Sequence, residues 1–258
     1  MHVIKLKTLL KYATICVAAV FCITALSGAS ATSAFLNKPE RKIPVYCVDS
    51  SEKQVALTFD AAWGSDKTLA ILDELDKFDA RATFFLVGFW VEKYPDLVAE
   101  IDKRGHEIGT HSNTHPDMTK LSREAVEREL SISKKLIEDI TKKPVTVFRA
   151  PFGAYNNTLI EIATGLGLTT IQWDVDSLDW KKLSVGDICK RVLPKVKPGS
   201  IVLFHNNSLN VTGAIPLIME DLQEQGYVFK SVGDILIKGD YKIDHAGRMY
   251  PAGMKNEK

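Results

Sequence analysis

The sequence predicts an α/β fold in which a closed or nearly closed barrel of parallel strands is wrapped by helices. Two observations lead there. Short runs rich in β-branched and aromatic residues alternate with segments whose apolar residues recur at helical spacing, and that order calls for a parallel sheet. Five of the runs stop at an ionisable side chain: Asp60, His111, Arg149, the group from Asp174 to Asp179, and His205. In a barrel of parallel strands every C-terminal end lies on one face, where chemistry is done. An open doubly wound sheet would gather some of these groups at its switch point, but five contributing strands fit the barrel better.

Taken in order, Val55 to Phe59 forms the first strand; it ends in Asp60 and the turn Ala61-Ala62-Trp63-Gly64. Ser65 can cap a helix that places Ile71, Leu72, Leu75 and Phe78 on one face. Ala82 to Val87 is short enough for a buried strand, Pro95 opens a helix that Arg104-Gly105 closes, and Glu107 to Thr110 is a strand ending at His111. His106 precedes that strand, so it belongs at the opposite end with a structural role. Ser122 caps the clearest helix, with Val126, Leu130, Ile137 and Ile140 on one face and Leu121 stapled to Val126. Val145 to Phe148 is a strand, Thr158 to Leu166 a helix, Thr169 to Trp173 a strand and Ser184 to Leu193 a helix. Ser200 to Phe204 is the last strong strand, followed by a helix from Val211 to Gln225, a strand at Tyr227 to Phe229 and a helical turn at Val232 to Ile237. This assigns residues 53–238 to one domain, 35–52 to a linker or a strand lying across its outside, and 239–258 to a polar tail.

The first 34 residues differ in kind. Lys5, Lys7 and Lys11 precede an uncharged segment with an apolar heart from Ala13 to Leu26, and Ala29-Ser30-Ala31 fits a secretory cleavage site. Export is expected, by a cleaved signal or by a segment kept as a membrane anchor. With 33 Lys+Arg against 32 Asp+Glu the chain offers no basic field, which excludes nucleic acid as a partner class. Removal of the signal would leave Cys47 and Cys189, read as two unrelated thiols rather than a disulfide framework. A monomer is expected.

His111 and His115, four apart in a loop, can reach one borderline metal such as Zn2+. A metal with open positions lowers the pKa of bound water and polarises a carbonyl, the equipment of hydrolysis. Asp60 would then be the base and His205 the acid, with Arg149 holding Asp60 ionised and Asp176 orienting His205. Trp63, Phe152, Tyr155 and Trp180 sit beside these groups and could stack on sugar rings. A glycoside hydrolase would need two carboxylates about 5 to 10 Å apart; Asp60 and Asp176 could serve, but the paired histidines would then have no purpose.

Thr58-Phe59-Asp60, His111-Ser112-Asn113-Thr114-His115, Arg149-Ala150-Pro151-Phe152-Gly153, Asp176-Ser177-Leu178-Asp179-Trp180 and Leu203-Phe204-His205 resemble the five ordered motifs of the polysaccharide deacetylases, the NodB-homology or carbohydrate esterase family 4. The resemblance covers roughly residues 53 to 237. It implies a distorted (β/α) barrel with 7–8 parallel strands and removal of acetyl groups from peptidoglycan, chitin-like sugars or xylan. It also implies a divalent metal, Zn2+ before Co2+ or Ni2+, with Asp60 as base, His205 as acid and His111 and His115 as ligands. Arg149 and Asp176 are then supporting residues, with Leu203 among the groove walls. The short exported form is similar to the sporulation-associated branch. One position departs: the family's third metal ligand is a second Asp, and Ala61 stands there. Asp66 could supply the missing ligand, water could fill its place, or the metal is lost and the groove only binds sugar.

Overall fold

The computed structural model describes residues 40–253, and residues 42 onward form one compact unit. The expected signal or anchor lies outside the described residues. In chain order the strands are β1 (Cys47–Val48), β2 (Gln54–Ala61), β3 (Thr83–Leu86), β4 (Glu107–Thr110), β5 (Val147–Phe148), β6 (Thr169–Thr170), β7 (Val175–Asp176), β8 (Ile201–His205), β9 (Val228–Phe229), β10 (Tyr241–Ile243) and β11 (Arg248–Pro251). The helices are α1 (Thr68–Lys77), α2 (Gly88–Lys93), α3 (Pro95–Lys103), α4 (Arg123–Thr141), α5 (Asn157–Gly165), α6 (Val185–Val192), α7 (Val211–Glu224) and α8 (Val232–Ile235).

Seven strands run β6-β5-β4-β3-β2-β8-β7, all neighbours parallel, and β9 joins the beginning of β2. This is the distorted barrel expected from the sequence, left open between β6 and β7. The central strand β2 is buried at every position after Gln54, and a strand covered on both faces reads as a continuous apolar run. Its side chains divide between two layers. Val55, Leu57, Phe59 and Ala61 join the cluster shared with the helices, while Ala56 joins a second cluster with Phe85, Val147, Ile171 and Ile201. Thr58 and Asp60 continue the Ala56 file toward the C-terminal end of the strand, because successive side chains alternate between faces. The apolar residues thus close one end of the barrel, and the polar pair opens the other.

Three expectations need correction. The segment read as a linker or an outside strand bridges the open edge and is not outside: Val45 pairs with Ile171 and Cys47 with Ser200, and Val45 is fully buried. Residues expected as a polar tail form the antiparallel hairpin β10–β11, which pairs with β1 and buries Met249 and Tyr250. Strands this short, with Lys242 and Arg248 among their residues, carry too few apolar positions to show a period. Finally, Ser65 does not cap α1 with its side chain; Gly64 turns with φ +69°, and the Ser65 carbonyl accepts from Thr68 N–H at 3.1 Å. The sequence reading also omitted α2, whose apolar Phe89, Trp90 and Val91 are consecutive. α3 does begin at Pro95, and Ser122 caps α4 by accepting from Ala125 N–H. Cys47 and Cys189 are both free thiols.

Candidate active site

At the C-terminal ends of the strands lies a cleft of about 600 Å³ whose lining includes Asp60, His111, His115, Asp176 and His205. β2 and β8 pair so that Asp60 stands beside His205, and β4 ends just before His111. Residues 145 positions apart therefore meet because their strands are neighbours.

Arg149 follows β5 and is fully buried beneath the cleft. Its Nη1 donates to Asp60 Oδ1 at 2.8 Å and to Thr58 Oγ1 at 2.8 Å, and its Nη2 donates to the Gln172 carbonyl at 3.0 Å. The guanidinium lies 4.2 Å from the Phe85 ring centre. An ion removed from water needs such partners; only Nε finds none among the described residues. Burial would raise the Asp60 carboxyl, but the charge of Arg149, with the charge of His205 and the hydrogen bond from Arg149, outweighs it and holds the acid below its usual range. Asp60 is thus an ionised, rigidly held proton acceptor.

His205 is the opposite case. Its Nδ1 donates to Asp179 Oδ1 at 2.8 Å, and its main-chain N–H donates to Asp179 Oδ2 at 2.8 Å. Burial would lower the imidazole, yet the bond to Asp179 and the charges of Asp179, Asp60 and Asp176 prevail and raise it. Nε2 is left to carry the exchanging proton. The orienting acid is therefore Asp179 and not Asp176, a correction: Asp176 lines the cleft, but its Oδ1 accepts from Leu178 N–H at 2.9 Å. Asp179 is 1 % exposed, and its burial and its two bonds to His205 distinguish it from the acid three residues earlier.

His111 Nδ1 donates to the Arg149 carbonyl at 2.8 Å, which leaves the lone pair on Nε2. That atom lies 3.5 Å from Asp60 Oδ2. The His115 ring stands 4.9 Å from that of His111, and burial, aided by the neighbouring imidazole, lowers its pKa to about 4. Both rings are neutral, as metal ligands must be. The set stops there. Ala61 is 1 % exposed within the apolar layer, and Asp66 is a correction: its carboxylate is 73 % exposed, lies 3.6 Å from Lys67 and does not line the cleft. Among the described residues no three His, Cys, Asp or Glu side chains are grouped to hold a metal ion. The residues present do not fit the three-ligand site that the family resemblance implies.

Trp63, Phe152, Trp180 and Leu203 line the cleft, the first three with more than half of their surface exposed. Trp63 and Phe152 stand 4.9 and 4.7 Å from the His115 ring. Tyr155 is a correction: it packs against the core, with its hydroxyl 3.4 Å from that of Tyr46, and does not line the cleft. Sequence reasoning missed Trp173 and Asn207, which do line it, and Gln172, whose Nε2 donates to the Gly153 carbonyl at 2.9 Å. Ser112, His115, Phe152 and Leu178 all hold left-handed backbone, with φ between 50° and 70°. Such residues are uncommon and collect where geometry matters more than comfort. His106 sits where expected, buried at the other end, its Nδ1 accepting from Ala82 N–H.

A model of the family described as polysaccharide deacetylase matches residues 48–171. A peptidoglycan-N-acetylglucosamine deacetylase of Bacillus cereus is 36% identical over 194 residues, 73% of this chain and 91% of that protein. The corresponding PgdA of Listeria monocytogenes is 34% identical over 75% of this chain, which spans only 41% of that longer protein. Among solved structures, a CE4 family pseudoenzyme from Bacillus anthracis, BA3943, superposes with a TM-score of 0.72 at 35% identity, covering 74% of this chain and 68% of its own. A mutant of BA3943 is described as having restored enzymatic activity and superposes with the same TM-score of 0.72.

Proposed function

The chain belongs to the polysaccharide deacetylase family, and from that premise we propose that its cleft receives an acetylated amino-sugar polymer of the cell wall, peptidoglycan before chitin-like glycans, and removes N-acetyl groups from it. The observation that carries this reading is the pairing of Arg149–Asp60 with Asp179–His205 on neighbouring strands. As water adds to the acetyl carbonyl carbon, Asp60 takes its proton. His205 then protonates the departing nitrogen, the carbon–nitrogen bond breaks, and acetate and a free amine result. A groove kept only for binding has no need of a proton acceptor and a proton donor side by side. Trp63, Phe152 and Trp180 supply faces for sugar rings. An exported protein acting at the wall fits the N-terminal segment, and its substrate fits the names of the relatives.

A specific observation favours a second reading, a wall-binding protein with little or no turnover. Ala61 leaves two imidazoles where the family has three ligands, and a similar structure is described as a pseudoenzyme. Acetate release from peptidoglycan and chitin oligomers separates the two. The deacetylase reading expects slow release that falls by roughly 100-fold or more in Asp60→Asn and in His205→Ala. It also expects Ala61→Asp to raise both release and Zn2+ or Co2+ content. Release equal in the wild type and in both loss variants would leave only the binding reading.

A further inference from the structure

Trp63 is the aromatic wall residue closest in sequence to the proton acceptor, and little holds its ring. It is 59 % exposed and meets His115 at 4.9 Å and Phe89 at 6.4 Å between ring centres. Its position is therefore set by its backbone, the turn from Ala61 to Gly64. That turn is fastened at its far end by two buried side chains from distant segments. Trp90 Nε1, from α2, donates to the Gly64 carbonyl at 2.7 Å, and Asn206 Nδ2 donates to the same oxygen at 3.0 Å. At the near end the main-chain N–H of Asn206 donates to the Asp60 carbonyl at 3.2 Å. One residue thus spans the whole turn from the acid to the glycine.

The other half of the Asn206 amide explains why an asparagine is informative here. The residue is 1 % exposed, and its Oδ1 has no hydrogen-bond partner among the described residues. A buried, unpaired amide oxygen is costly, and an apolar side chain of the same size would avoid the cost. What the amide supplies in return is its Nδ2, which donates to the Gly64 carbonyl and, at 3.4 Å, to Thr68 Oγ1 at the start of α1. Trp90 is likewise 1 % exposed, so its indole N–H has no water to fall back on.

We propose that Asn206, together with Trp90, is a positioning residue that fixes the Ala61–Gly64 turn and thereby the place of Trp63 against His115 in the substrate cleft. The claim rests on the proposed function only in naming a sugar as what this wall meets. Asn206 touches neither reacting atoms nor substrate; it acts through Trp63.

The full chain labelled with 5-fluorotryptophan gives one 19F resonance for each of its 4 tryptophans, and Trp63→Phe assigns the one that matters. Asn206→Leu removes the donor while keeping the volume, and Trp90→Phe removes the other donor while keeping most of the ring. Both variants are expected to shift and broaden the Trp63 resonance, and to weaken chitotetraose binding about 10-fold where the wild type binds it. A Trp63 resonance unmoved in both folded variants, with only the melting temperature lowered, overturns the proposal. If Trp63 moves but the wild type binds neither chitotetraose nor muropeptides, the positioning role stands and the sugar reading falls.

Discussion

The Asp179 carboxylate meets His205 twice, once at the ring and once at the main chain, so it fixes both the rotamer and the charge of that imidazole. Asp179→Asn keeps the shape and removes the charge. We expect the His205 titration midpoint, followed by NMR of its ring protons, to fall by about one unit or more; an unchanged midpoint would assign the rise to other charges. The sign for stability follows from the raised value. Stabilisation by this pair is complete below the ordinary imidazole value of 6.5 and is lost as pH rises through the elevated one. Asp60, His111, Arg149 and His205 were legible in the sequence because each ends an apolar run, and a strand's end is a defined place. Asp176 and Asp179 were not separable, since one ends the two-residue strand β7 and the other begins the turn just after it, too short a stretch to show a period. Tyr155 was misread because an aromatic beside a motif has two good uses, and burial chooses between them.

Among the elements, β4 carries a constraint that no pattern of hydrophobicity reveals. A Cβ on Gly109 would lie 2.7 Å from the Phe85 ring and 2.9 Å from Val147. Phe85 in turn lies against the Arg149 guanidinium. Gly109→Ala should therefore destabilise the fold by about 1–3 kcal/mol, the usual range for overpacking a filled interior. It should also lower acetate release, because the displaced ring disturbs the residue that holds Asp60; urea unfolding beside the activity assay checks both. A stability loss with activity untouched would mean that Phe85 moves without Arg149. The long helices were readable from spacing and caps, with α4 beginning directly after Ser122. The two-residue strands were found only approximately, because two positions cannot display alternation.

For the molecule as a whole, the fold class was legible and its closure was not. Alternation of strand and helix dictates the parallel sheet, but nothing in Val45 to Val48 announces that it bridges the gap between β6 and β7. Val45→Asp would bury a carboxylate at a fully enclosed site and should cost about 3 kcal/mol or more. A urea midpoint close to that of the wild type would show the segment to be peripheral. The closure has a temporal side. β1 takes its partner from β11, so Cys47 waits for Arg248, and β2 waits for β8. A nascent chain leaving the ribosome cannot join the central strand β2 to β8 until His205 has been added, and contacts this remote form slowly. Under the export proposed above, such lateness would keep the chain pliable until it has crossed the membrane.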